Sequence, residues 1–290
     1  MVGFSLRWLV LVVCTSCIHC MQRVALVTGA NRGIGKEIAR NIGLLSDHVV
    51  VLGCRDEALG MAAMEELRAE GCNCVFSRLD LTDYDSICST REFVETEFGR
   101  LDALVNSAAI CFNDPTLYGK LERTPFDQRA TMTINTNYFG TLDVTDAMLP
   151  LLRESDWSPR IVNLVSTNPG RQCGSVDVQD EINSPNLEVQ ILNELMTEFV
   201  GAAQAGKHAP RWPNIFGNTY ICYDVSQMGL DYLTRVLARD EPTIMVNSVD
   251  PGSCATEYNN FDGEKSAAEG AVLASELAYS ELDASGEHYW

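Results

Sequence analysis

The chain has 290 residues, with 21 Lys and Arg against 40 Asp and Glu and a formal charge of −19. Hydrophobic residues make up 46% of it, which excludes wholesale disorder. The acidic balance argues against a nucleic-acid binder, which needs clustered Lys and Arg, and disfavours docking on an anionic membrane surface.

Residues 1–20 read differently from the rest. Arg7 precedes the apolar run Trp8 to Val13, too short to span a bilayer as a helix and about right for a signal-peptide core. No small-x-small cleavage site follows cleanly, and Met21 stands just before the first strand. These residues are expected to be an extension outside the fold, from an upstream start. A functional signal or anchor is the alternative. Cys14, Cys17 and Cys20 with His19 have metal-compatible spacing, but no second ligand pair follows at a zinc-module distance, so no metal is expected. The 11 cysteines are scattered irregularly and read as reduced intracellular thiols serving as small apolar residues.

From residue 21 to 290 a single domain is expected. Strands are predicted at Val24 to Val27, Val49 to Leu52, Cys74 to Phe76, Ala103 to Val105, Ile161 to Val165 and Ile244 to Val246. Helices are predicted at Ile34 to Leu45, Asp56 to Ala69, Ser86 to Phe98, Asp224 to Ala238 and Ser266 to Ala278. A longer helical stretch, Phe126 to Leu149, is expected to close at Pro150. Short continuous apolar strands between amphipathic helices mean an α/β fold: a doubly wound, Rossmann-type parallel sheet with helices on both faces. Residues 168–221 break the rhythm and read as a long insertion with one helix, Leu187 to Ala203.

The segment Thr28-Gly29-Ala30-Asn31-Arg32-Gly33-Ile34-Gly35 follows a strand and opens a helix. Glycines there let the backbone turn tightly and approach a pyrophosphate seated on the helix N-terminus. The second strand ends at Arg55. An NAD site favours an acidic residue near this point, whereas an NADP site favours Arg beside the 2′-phosphate, so Arg32 and Arg55 point to NADPH/NADP+.

These residues resemble the short-chain dehydrogenase/reductase superfamily over about 22–286, and within it the monomeric NADPH-dependent carbonyl reductases. Thr28 to Gly35 matches the family's TGxxxGxG, which places Gly29, Asn31, Arg32, Gly33, Ile34 and Gly35 at the cofactor. Asp80 and Leu81 match the turn that contacts adenine. Asn106-Ser107-Ala108-Ala109 stands where the family has NNAG, which implies cofactor contacts from Asn106 and Ala108. Asn137 takes the place of the structural and catalytic Asn, and Ser166 that of the catalytic Ser. Pro251, Gly252 and Thr256 match the motif that borders the nicotinamide. Tyr223 follows Ser166 by 57 residues, far more than in most of the superfamily. The insertion resembles that of the monomeric subgroup, which implies a monomer. A small-molecule carbonyl substrate is expected, and a cytoplasmic location, or a secretory or membrane-anchored one if residues 1–20 are a functional signal.

The resemblance implies hydride transfer from NADPH to a ketone, aldehyde or quinone. Ser166 would hydrogen-bond the substrate oxygen as charge develops, and Tyr223 would donate the proton. A free Tyr has a pKa near ~10, and the family lowers it with a Lys one helical turn on, which also holds the nicotinamide ribose. Asn137 would support a water that relays protons to that Lys. Here the segment reads Tyr223-Asp224-Val225-Ser226-Gln227, and Gln227 stands where the Lys belongs. Gln can hydrogen-bond a ribose hydroxyl but brings no charge, and Asp224 adds a negative one. Such a loss could cost on the order of 10²–10⁴ in rate. Ala109 puts a Cβ where the family has Gly. The chain is also expected to stop at Trp290 before the family's C-terminal strand, shortening one wall of the substrate pocket.

Two functions follow from this pattern. One is an NADPH-dependent carbonyl reductase, impaired by Gln227. The other is a catalytically inactive NADP(H)-binding relative acting as a sensor or binding module. An unrelated Rossmann enzyme such as a methyltransferase fits less well with Asn137, Ser166 and Tyr223 in that order.

Overall fold

The computed structural model describes residues 22–112, 124–166, 173–206, 209–213, 220–257, 261–279 and 284–290. The expectations for residues 1–20, including the cysteine and histidine cluster, lie outside these.

The chain runs β1 (Arg23–Thr28), α1 (Gly33–Gly43), β2 (His48–Cys54), α2 (Glu57–Ala69), β3 (Cys74–Arg78), α3 (Tyr84–Phe98) and β4 (Ala103–Asn106). It continues through α4 (Phe126–Ile134), a π-helical turn (Asn135–Phe139), α5 (Gly140–Arg153) and β5 (Arg160–Leu164). After these come α6 (Val176–Ile182), α7 (Val189–Ala205), α8 (Ile221–Asp240), β6 (Met245–Val249), β7 (Cys254–Ala255), β8 (Lys265–Ser266), α9 (Ala267–Tyr279) and β9 (His288–Tyr289).

Seven strands form one parallel sheet in the order β3-β2-β1-β4-β5-β6-β9. Successive strands step outward from β1 in one direction and from β4 in the other. The reversal between β1 and β4 leaves a crevice at the strands' carboxyl ends, where an open α/β sheet takes its ligand. The period of two along each strand splits the core. Val24, Leu26, Val49 and Val51 pack on the α3–α8 face, and Ala25, Val27, Val50 and Leu52 on the α1–α2–α9 face. Buried on both faces, the strands carry no polar alternation, which is why they read as apolar runs.

The structure corrects three sequence expectations. Pro150 lies inside α5, which continues to Arg153. Proline's fixed φ is helical, and the last turn is held from outside: the Leu151 carbonyl accepts Leu101 N–H at 3.0 Å and Arg153 pairs with Glu241. Among its described residues the insertion carries two helices, not one. α6 is short; it buries Val178 and Ile182 and is further fixed by the Ser175 cap and by Tyr232 Oη donating to Asn183 Oδ1 at 2.8 Å. α7 packs on α4 and α8, burying Leu192, Leu195, Met196 and Phe199. The chain also does not stop short of a last strand. β9 pairs with β6, with Ser248 opposite His288 and Val249 opposite Tyr289. Two residues make too short a run to read as a strand. Side chains hold it: His288 Nδ1 lies 3.0 Å from Asp231 Oδ1 and 2.9 Å from Ser248 Oγ.

Candidate functional site

A cleft of about 960 Å³ opens at the carboxyl ends of the central strands. Its first wall is the turn after β1. Gly29 and Gly33 have φ of +68° and +55°, the left-handed region that glycine enters without strain. At Gly35 an added Cβ would lie 2.6 Å from the Gly29 carbonyl oxygen, so the turn closes only without a side chain there. Thr28 Oγ1 accepts the amides of Ser107 and Ala108 at 3.0 and 3.1 Å, which locks this turn to the loop after β4. Arg32, the N-cap of α1, makes no side-chain cap bond, and no acidic residue occupies the first turn. The amides there have no side-chain acceptor, which suits an anionic group.

Arg55 stands exposed at the end of β2, and among the described residues it and Arg32 are the positive charges lining the cleft. Asp56, Asp80, Asp143, Asp250 and Glu257 line it too. Asp56 is occupied as the cap of α2, accepting Leu59 N–H at 2.9 Å. Asp80 Oδ1 accepts Thr82 N–H and Oγ1–H at 3.0 and 2.8 Å, which fixes the turn that carries Leu81. The Leu81 carbonyl meets the start of α5 at Gly140, where a Cβ would come within 2.3 Å of its oxygen. Burial raises the Asp143 carboxyl above the ordinary range.

At the other end, Ser166 follows β5 and Tyr223 lies in the first turn of α8; both are half-buried and both line the cleft. Gln227 lines it one turn further along α8 and is only 3% exposed. Its Nε2 is buried with no protein partner. A buried donor without a partner calls for one, which a ligand reaching Gln227 from the cleft would supply. No lysine lines the cleft among the described residues. Ala108, Ala109, Pro251, Gly252 and Thr256 complete this part of the wall. A glycine cradle with uncapped amides at one end and an unsatisfied amide donor at the other fit a dinucleotide. Beside the latter, Ser166 and Tyr223 can donate hydrogen bonds to a substrate oxygen.

The structure does not bring every expected residue to the cleft surface. Asn106 is buried behind it, donating from Nδ2 to Asn163 Oδ1 at 2.8 Å and to Thr145 Oγ1 at 3.2 Å. Asn137 is buried too, with its amide bonded to the backbone of Ile110 and to Ser226. Asp224 lies off the cleft wall. The Cys173 thiol is pushed up to about 12, first by burial and then by the Asp224 charge. Sequence reasoning missed a stripe across α4, the π turn and α5: Met132, Asn135, Thr136, Phe139 and Asp143 all line the cleft. Their three- and four-residue spacing puts them on one helical face, the signal that could have found them.

Residues 23–176 match the sequence profile of the short chain dehydrogenases. Carbonyl reductase (NADPH) 1 of Bos taurus is 36% identical over 272 residues, which is 91% of this chain and 94% of that protein. Carbonyl reductase (NADPH) 3 of Homo sapiens is 38% identical over 272 residues, 91% of this chain and 93% of its own. Among solved structures, salutaridine reductase from Papaver somniferum superposes with a TM-score of 0.82 at 30% identity, covering 92% of this chain and 99% of its own.

Proposed function

The chain belongs to the short-chain dehydrogenase family, and from that premise we propose that it reduces carbonyl groups of ketones, aldehydes and quinones to alcohols with NADPH. One continuous cleft carries this reading: the glycine turn and both arginines stand at one end, and Ser166, Tyr223 and the unsatisfied Gln227 amide at the other. The family's carbonyl reductases resemble the chain over nearly its whole length.

In this proposal the amides of Gly33, Ile34 and Gly35, with Gly29 and Asn31, hold the pyrophosphate. Arg32 and Arg55 hold the 2′-phosphate, while Asp80 and Leu81 border adenine. Ala108, Pro251, Gly252 and Thr256 border the nicotinamide, and Gln227 donates from Nε2 to its ribose. NADPH, when bound, supplies the hydride. Ser166 donates a hydrogen bond to the substrate oxygen as negative charge gathers on it. Tyr223 gives that oxygen its proton. Asn106 and Asn137 support this wall from behind. With no ammonium one turn along α8, Tyr223 loses its proton with less electrostatic help, so turnover is slow.

That same substitution favours a second reading, an NADP(H)-binding protein without turnover. For either function we infer a monomer in the cytoplasm, built as one domain over 21–290. α7 covers α4 with buried apolar side chains, in keeping with a chain that needs no partner there. Among the described residues no helix is long and apolar enough to cross a membrane. Cys54, Cys72, Cys74, Cys88, Cys173 and Cys222 are free thiols, as suits a reducing compartment.

Melting measured with NADPH and with NADH tests the cofactor, because a ligand of the native state raises the melting temperature. NADPH should raise it further than NADH at equal concentration, and equal shifts would refute the proposal. Gln227→Lys should increase turnover, and an unchanged rate would remove Gln227 from the account of its slowness.

A further inference from the structure

Three elements meet behind the reacting end of the cleft: the loop after β4 at Ile110, the π turn at Asn137, and α8 at Tyr223 and Ser226. Ser226 is fully buried and does not line the cleft. Its hydroxyl donates to the Tyr223 carbonyl at 2.7 Å and accepts from Asn137 Nδ2 at 3.0 Å. Asn137 Nδ2 also donates to the Ile110 carbonyl at 2.9 Å, and Asn137 Oδ1 accepts the Ile110 amide at 2.8 Å.

Both hydrogens of the Asn137 amide and the single hydroxyl hydrogen of Ser226 are therefore spent on this path. A serine bonding back to a carbonyl one turn earlier is a common local contact in helices. The second bond, from another element, makes this one a joint. Ile110 and Tyr223 both face the cleft, so the path links one wall to the other from behind. The widened π turn is where the opposing helix presents Asn137 to it, a backbone feature found often at functional sites.

We propose that Ser226 is a positioning residue: through Asn137 it fixes the first turn of α8, and with it Tyr223, against the Ile110 wall. This rests on the reading that Tyr223 delivers the proton. Ser226→Ala removes both bonds and leaves a buried Asn137 N–H without an acceptor, so the turn carrying Tyr223 is free to drift. A misplacement of about 1 Å can cost about 10²-fold in rate.

The test compares Ser226→Ala, Ser226→Thr and Tyr232→Phe in the full chain. Tyr232→Phe is the control, because it removes a part-buried bond from the same helix to the insertion, away from the cleft. Ser226→Ala should lower kcat by about tenfold to a hundredfold, with NADPH affinity changed less than about twofold. Ser226→Thr keeps the hydroxyl and should recover most of the loss. Hydrogen exchange at the Ile110 amide should speed up in Ser226→Ala and not in Tyr232→Phe. Equal losses of kcat in Ser226→Ala and the control, or unchanged exchange at Ile110, would overturn the proposal. If the wild type turns over no carbonyl with NADPH, the proposed function falls, and the exchange measurement still decides whether Ser226 holds the joint.

Discussion

The side-chain amide of Asn137 pairs with the peptide of Ile110 in both directions, Oδ1 accepting its N–H at 2.8 Å and Nδ2 donating to its carbonyl at 2.9 Å. A side chain thus completes the backbone hydrogen bonding of a buried loop residue on the cleft wall. Asn137→Ala orphans both Ile110 groups. At about 1–3 kcal/mol for a buried group left unsatisfied, the variant should melt well below wild type by calorimetry. Asn137→Asp keeps the acceptor but not the donors and should fall between them.

Gly35→Ala should abolish the glycine turn's fit rather than the fold. The added Cβ would sit 2.6 Å from the Gly29 carbonyl, so the turn must open where the pyrophosphate is proposed to lie. NADPH affinity, measured by fluorescence titration, should drop at least about tenfold, about 1.4 kcal/mol.

Arg55 is exposed, so its charge is open to a ligand and contributes little to stability. Arg55→Ala should weaken NADPH binding and leave NADH binding unchanged. The NADPH effect should shrink at high salt, as exposed charge pairs are screened. Titrations with both nucleotides at two ionic strengths check this.

Partial desolvation raises the Asp146 carboxyl above its ordinary pKa, with the Asp143 charge adding to the shift, and because the residue is exposed, solvent keeps the effect small. A carboxyl raised in the folded state favours its protonated form there, so ionisation works against the fold. The penalty is fully present above the folded pKa and disappears below the unfolded value near ~3.9. Asp146→Asn should therefore be more stable than wild type at neutral pH, with the gain fading as pH falls toward that value. Denaturant melts across pH measure it.

What could be read from the sequence follows from what each element depends on. The doubly wound sheet was legible because β1, β2, β4 and β5 are buried on both faces and read as continuous apolar runs. The glycine turn was legible because its backbone has so few alternatives. The π turn at Asn135–Phe139 left no trace, since one extra residue in a helical turn changes no side-chain pattern that a single sequence shows. β9 was missed because His288 and Tyr289 are held by partners on α8 and β6, far away in sequence. α6 was missed because its seven residues bury only one apolar pair, Val178 and Ile182, too short a pattern to read as a helix. The set facing the cleft was legible by resemblance at Ser166, Tyr223 and Gln227. That Asn106 and Asn137 stand behind the wall depended on partners that only the fold supplies.

NADPH oxidation by the wild type and Tyr223→Phe, each with a reactive dicarbonyl or quinone, tests the central claim most directly. Carbonyl reduction with Tyr223 as the proton donor predicts measurable turnover in the wild type and its loss in Tyr223→Phe, with NADPH still raising the melting temperature of both. Equal inactivity of the two proteins, with that stabilisation intact, would contradict it and establish a nucleotide-binding protein without turnover.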